Sequence, residues 1–196
     1  MNKKAFIFIG RSGCGKGTQA DLLMKAMKEK DPSHEILYIQ TGQEFRKFIA
    51  GDTVTEKKAK EIYDVGGLMP AFLTINMWVR PLVDNYNGNQ HLFFDGTPRK
   101  PDEASILNSI FGFYGIDKPY IVNIEISPDE ALKRLLARKR IDDVTDEIKK
   151  RLAWYETDVV PTLAYFKDNK DYHVLTIDGE RTVEEIHADI MSRVNF

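Results

Sequence analysis

The chain has 196 residues, 42% hydrophobic and 30% charged, with a net charge of -2 and one cysteine, Cys14. That length supports one sizeable core and one domain, and the balanced charge excludes a global basic field for nucleic acid or membrane. A single cysteine excludes an internal disulfide and a CxxC zinc site, and the opening apolar run is too short for a signal segment or a span, so a soluble cytoplasmic protein is expected.

Ala5–Ile9 (AFIFI) is a continuous apolar run, the pattern of a strand buried on both faces. The segment GRSGCGKGTQADLL, Gly10 to Leu23, follows, and Lys16 to Lys30 carries Leu22, Leu23, Ala26 and Met27 at helical spacing. Glu35–Gln40 reads as a second strand. Thr41 to Asn85 lacks strong strand runs and reads as short helices punctuated by Gly51, Gly66-Gly67, Pro70 and Pro81. Leu92–Phe94 is a short strand ending in Asp95-Gly96; Pro101–Phe113 is helical; Tyr120–Ile126 is a strand. Ser127 to Glu130 spells a capping box with proline at the first helical position, opening a helix through Arg138. A further helix is expected from about Asp143, with Ile148, Leu152, Tyr155 and Val159 on one stripe. Tyr172–Ile177 is the last strand, and a second capping box, Thr182 to Glu185, opens the final helix. Strands alternating with helices predict an α/β fold: a five-stranded parallel sheet covered on both faces, with ligands at the carboxyl ends of its strands.

The glycine segment nearly matches the Walker A pattern GxxxxGK[ST]; Gly10, Gly15 and Lys16 fit, but Gly17 stands where a hydroxyl belongs and Thr18 brings it one place late. A glycine loop between strand and helix turns several N–H groups toward one point, where Lys16 reaches terminal phosphate oxygens. Thr18 offers a hydroxyl to phosphate or to a metal's water shell. The competing reading is a glycine-rich turn with an incidental lysine. Cys14 reads as a small filler of the loop.

GRSGCGKGTQA resembles the GxPGxGKGTQ loop of the adenylate kinase family, in which Lys-Gly-Thr replaces Lys-Ser/Thr. Further segments resemble the family in the same order: IQTGQEFRKFI (Ile39–Ile49), AKEIYDVGGLMP (Ala59–Pro70), LFFDGTPRKPDEA (Leu92–Ala104), LKRLLARKRIDDVTDEIKKRL (Leu132–Leu152) and the final IDG (Ile177–Gly179). The resemblance implies a P-loop nucleoside monophosphate kinase moving the terminal phosphoryl group of ATP, with Mg²⁺, to an acceptor monophosphate, AMP first. It assigns Gly13, Cys14, Gly15, Lys16, Gly17, Thr18, Arg134 and Gly179 to the donor. Thr41, Gly42, Arg46, Leu68, Met69, Gly96, Arg99 and Glu103 fall to the acceptor. Lys16, Arg99, Arg138, Arg140 and Arg151 are assigned to transfer, and Asp95 to the metal's water shell with Thr18 beside it. The implied organisation is a core of residues 1–40, 86–137 and 144–196, an acceptor-binding insertion at about 41–85 and a lid at about 138–143. The implied partners are the two nucleotides alone, with no nucleic acid, membrane or zinc, and the chain is expected to be a monomer.

Three departures bear on this. Only Lys139 separates Arg138 from Arg140, so the lid is very short. Glu103 stands where the family has a glutamine that reads the acceptor base; a carboxylate only accepts hydrogen bonds, which suits guanine best and opens GMP, CMP or UMP as alternative acceptors. Glu103 also reads simply as an exposed first-turn carboxylate. Thr97 replaces an aromatic in DGFPR, and Ser12 a proline in the phosphate loop. RLLARKR alone would be an ordinary solvated basic face. A nucleotide-binding regulatory module without turnover is the reading from outside the enzyme class. The histidines at 34, 91, 173 and 187 are scattered without ligand spacing, and Trp78, Trp154, Phe166 and Tyr172 read as packing.

Overall fold

A computed structural model of the chain describes residues 3–138, 145–167 and 169–195. Five strands, β1 (Ala5–Gly10), β2 (Glu35–Gln40), β3 (Gln90–Asp95), β4 (Tyr120–Glu125) and β5 (His173–Asp178), form one sheet in the order β2-β3-β1-β4-β5, with every pairing parallel. The apolar run of β1 has its explanation here. Ala5, Ile7 and Ile9 enter the core on one face, Phe6 and Phe8 the core on the other, and all are buried. Each such large side chain contributes about 2–3 kcal/mol relative to exposure.

Nine described helices cover the two faces. α1 (Lys16–Lys30), α6 (Pro128–Arg138) and α9 (Val183–Arg193) pack over Phe6 and Phe8. α4 (Ala71–Asn85), α5 (Pro101–Tyr114) and α8 (Val160–Lys167) pack over Ile7 and Ile9 through Trp78, Leu107, Phe111 and Phe166. α2 (Thr41–Phe48) and α3 (Val54–Asp64) gather a smaller core of their own around Phe45, Ala59 and Met69, sharing Leu73 and Met77 of α4. α7 (Thr145–Trp154) leads toward α8.

The structure departs from the sequence expectations in three places. α4 runs straight through Pro81 to Asn85, because its buried face (Leu73, Met77, Trp78, Leu82) supplies more than the one lost backbone bond costs. The expected long helix over Tyr155 and Val159 is interrupted by a π-helical turn, Tyr155–Val159, separating α7 from α8. Pro161 lies just beyond it; it brings no N–H and crowds the carbonyl one turn earlier, and the wider turn relieves that. At Ser127 the box is only half local. The Ser127 hydroxyl caps the Glu130 N–H at 3.3 Å, but the Ser127 N–H is taken by Glu180 at 2.8 Å, while Glu130 turns to Arg134. The lid tip, including Lys139, Arg140, Asp142 and Asp143, lies outside the described residues.

The histidines are less scattered than the sequence suggests. Asp31, which caps α1, is met by His34 Nδ1 at 2.9 Å and His91 Nε2 at 3.3 Å, and it accepts the Ser33 hydroxyl. The cluster sits at the amino ends of the strands, opposite the glycine loop. Its three ligand-type atoms converge as a metal site would. However, His91 Nδ1 accepts the Lys4 N–H at 3.1 Å, which puts the imidazole proton on Nε2, facing Asp31. A cation at the centre would meet that proton, so the cluster is a polar tie between α1, β1, β2 and β3.

Candidate active site

At the carboxyl ends of the strands the chain leaves β1 for β2, returns to β3 beside β1, and crosses to β4 on the other side. That reversal opens a crevice, and a cleft of about 720 Å³ fills it. The glycine loop forms its floor. Gly10 and Gly15 hold positive φ values of 150° and 94°, and a side chain at Gly10 would overlap the Ile124 carbonyl and come 2.7 Å from Cys14 Sγ. The loop therefore seats directly on β4, with Cys14 buried beneath it. Lys16 Nζ bridges the loop, donating to the carbonyls of Gly10 at 2.8 Å and Arg11 at 2.9 Å.

Gly17 acquires a physical context here. A Cβ there would lie 3.6 Å from Asp95 Oδ2 and 4.0 Å from the Tyr38 hydroxyl. Tyr38 donates to Asp95 Oδ2 at 3.4 Å and accepts from Gln40 Nε2 at 2.9 Å. Burial, reinforced by the Asp95 charge, pushes the phenol pKa up, so Tyr38 stays a donor. A tyrosine hydroxyl from β2 thus stands beside the carboxylate that the missing Ser or Thr would have faced.

Of the residues expected to bind nucleotide, Gly13 through Thr18, Gly42, Arg46, Met69, Asp95, Gly96, Arg99, Arg134, Arg138 and Arg151 all line this one cleft. Arg134 is braced by Glu130 at 2.7 Å. Arg99 donates from Nε to the Gly96 carbonyl at 2.8 Å, and its guanidinium lies over the Trp154 ring, 5.2 Å from the centroid. Burial and the nearby Arg151 charge lower the Arg99 pKa, against the pull of Glu103 and Asp95. Lys150 Nζ donates to the Val65 carbonyl at 3.0 Å, linking α7 to the end of α3.

Four expected residues are not on the lining. Thr41 is fully buried at the start of α2; Leu68 is half-buried beside the cleft; Gly179 packs against β4, its N–H on the Glu125 carbonyl at 2.8 Å. Glu103 is off the lining and is not an exposed first-turn acid. Its carboxylate is 1% exposed and accepts the Thr97 hydroxyl at 3.2 Å and the Arg99 N–H at 3.0 Å. Arg140 lies outside the described residues.

The cleft also has walls that sequence reasoning missed. Trp154, expected as packing, lines it, as do Gln19, Tyr63, Arg181, Thr182 and Val183. Gln19 ties two of these elements together, donating to the Val183 carbonyl at 2.9 Å. The second capping box was a usable signal for this wall, since it fixes the turn carrying Arg181. Arg11 points the other way: it stacks on Tyr155 at 4.2 Å, pairs with Glu156 and donates to the Ile126 carbonyl at 3.0 Å, anchoring the glycine loop to the π turn.

Seven cations (Lys16, Arg46, Arg99, Arg134, Arg138, Arg151 and Arg181) and one carboxylate, Asp95, face the cleft among the described residues, in a chain whose net charge is -2. Such local concentration fits polyanionic ligands brought together on a phosphate loop, so fold and site define a P-loop phosphotransferase class. Sequence comparison narrows the class. The adenylate kinase family profile matches residues 8–171. The chain is 32% identical to the adenylate kinase of Corynebacterium diphtheriae over 182 residues, 93% of this chain and 94% of that one. It is 33% identical to that of Corynebacterium urealyticum over 92% of this chain and 93% of that one, and 32% identical to adenylate kinase 1 of a Nostoc species over 94% and 95%. The chain belongs to the adenylate kinase family and is an ATP-dependent nucleoside monophosphate kinase. No helix among the described residues is long and apolar enough to cross a membrane.

Proposed function

We propose that the chain transfers the terminal phosphoryl group of ATP to AMP, giving two ADP. The observation that carries this is the cleft itself, where a phosphate loop and a set of arginines from α2, the turn after β3, α6 and α7 face one space. The donor lies along Gly13 to Thr18, with Arg134 and the 181–183 turn at its base, and the acceptor lies between α2, Met69 and Arg99. The bond from the γ-phosphorus to its bridging oxygen breaks as an acceptor phosphate oxygen takes its place. Lys16, Arg99, Arg138 and Arg151 neutralise the charge that spreads over the transferring group, and the family resemblance assigns Arg140 the same role. Asp95, half-buried and oriented by Tyr38, suits an outer-shell acceptor for the waters of Mg²⁺, with Thr18 beside it. That ion neutralises and orients the donor phosphates when bound. The insertion at 41–85 serves as the acceptor arm and residues 138–143 as the lid of a monomeric, cytoplasmic enzyme. The engagement of the Glu103 carboxylate with Thr97 and Arg99 favours AMP over the alternative in which Glu103 selects GMP, CMP or UMP.

The test is an acceptor screen: ATP and Mg²⁺ with AMP, GMP, CMP, UMP and dTMP separately, products resolved by chromatography. AMP turnover far above the rest is expected, and Lys16→Met and Arg99→Ala should each lower it about a thousandfold while the fold persists. A better acceptor than AMP, or full activity in either variant, overturns the proposal.

A further inference from the structure

Glu103 is the third residue of α5, and it reaches backward. One oxygen, Oε2, accepts from residues on both sides of Pro98: the Thr97 hydroxyl at 3.2 Å and the Arg99 N–H at 3.0 Å. The same turn is closed from above by Arg99 Nε on the Gly96 carbonyl at 2.8 Å. Thr97 and Glu103 are both 1% exposed, so no water competes for these bonds. A buried carboxylate is costly unless donors surround it, and here it has two, at the start of a helix whose dipole favours negative charge. Thr97 and Glu103 are also both positions at which this segment departs from the family pattern it resembles. The Thr97 hydroxyl supplies Glu103 with a donor that an aromatic ring at this position would lack.

Resting on the kinase reading above, we propose that Glu103 is a positioning residue. With Thr97 it fixes the Gly96–Arg99 turn so that the Arg99 guanidinium meets the acceptor phosphate, and it takes no part in reading the acceptor base. Arg99 then starts from a backbone held at both ends, with Trp154 beneath its guanidinium. The acceptor is gripped by its phosphate in the same way whatever base it carries, so base choice rests on the walls around Tyr63 and Met69.

The experiment compares Thr97→Val, Glu103→Ala and Glu103→Gln with the parent. In each, KM and kcat are measured for AMP, GMP and CMP and for ATP, and AMP affinity is read separately from intrinsic tryptophan fluorescence. T97V and E103A should raise the acceptor KM about tenfold for every base, with the ATP KM within about twofold of the parent. E103Q should recover most of that loss, since an amide oxygen accepts the same two bonds. A change in the AMP-to-GMP or AMP-to-CMP ratio in E103Q makes the residue a base reader and overturns the proposal. Variants that lose thermal stability but keep the acceptor KM and AMP affinity overturn it as well, leaving a purely structural role. The fluorescence titration separates the two proposals. If the parent binds AMP but makes no diphosphate, and T97V and E103A bind it about tenfold more weakly, the positioning role stands and the kinase reading falls. A parent that neither responds to AMP nor turns it over overturns both.

Discussion

Asp31 collects hydrogen bonds from Ser33 and His34 and faces His91, and the titration of Asp31 and His91 makes the stability of the protein depend on pH. The Ser33 hydroxyl, then the two histidines, hold the Asp31 carboxyl at about 2, below its ordinary 3.8. The stability it contributes is complete above about pH 5 and is lost as pH falls toward the folded value. Burial lowers the His91 pKa below 6.5, with His34 and Lys4 adding to the fall and Asp31 opposing it. The folded state therefore prefers neutral imidazole, and this stability is lost as pH drops below about 6.5. The melting temperature of Asp31→Asn should fall less steeply than the parent's between about pH 5 and 2, and that of His91→Gln less steeply between about 7 and 5. Calorimetry across pH decides both; parallel curves would remove the cluster from the account. At the other pole, Tyr38→Phe leaves Asp95 without its hydroxyl partner. Turnover should fall about three- to tenfold and the half-saturating Mg²⁺ concentration should rise, with little change in melting temperature. An unchanged Mg²⁺ titration would show that Tyr38 is packing alone. Asp95 and Arg99 were legible as DGTPR closing a strand. Tyr38 was not, because a tyrosine at an alternating strand position is indistinguishable from core until the sheet order brings it beside β3.

The elements that were legible carry their causes locally. β1 is a two-faced apolar run, and α9 starts at a reciprocal box in which Thr182 caps the Glu185 N–H while Glu185 returns to the Thr182 N–H. A second complete box, Thr53 with Glu56, was equally readable from its spacing and opens α3. Elements shaped at a distance were not legible. The partner of the Ser127 N–H is Glu180, far along the chain, and Pro161 alone does not say that the turn before it widens while Tyr155, Val159 and Phe166 all stay in one core. The α9 box also fixes the wall that Gln19 grips through Val183. Thr182→Ala should cost about 1 kcal/mol and about 2–4 °C in melting temperature, and should raise the ATP KM more than the acceptor KM. Equal effects on both substrates would detach this turn from the donor side.

At the scale of the molecule, two large cores grip opposite faces of one sheet, while α2 and α3 rest on a small third core. The sheet and its covering helices, α4 among them, should open only with global unfolding; α2 and α3 should open at lower free energy. Hydrogen exchange should be faster over 41–66 than over the central strands, and AMP should slow it there more than ATP does. Uniform exchange across both regions would make the insertion part of one cooperative unit.

The glycine loop lies flat on β4 because Gly10 has no side chain, and the space so saved is filled by the sulfur of the only cysteine in the chain. Cys14 is wholly shielded in this arrangement. A thiol reagent can reach it only in the moments when the loop lifts from the sheet, so the labelling rate counts those moments directly. The protein thus carries its own clock for motion at the reaction centre. Nucleotide in the cleft should slow that clock in proportion to occupancy, and denaturant should let it run free.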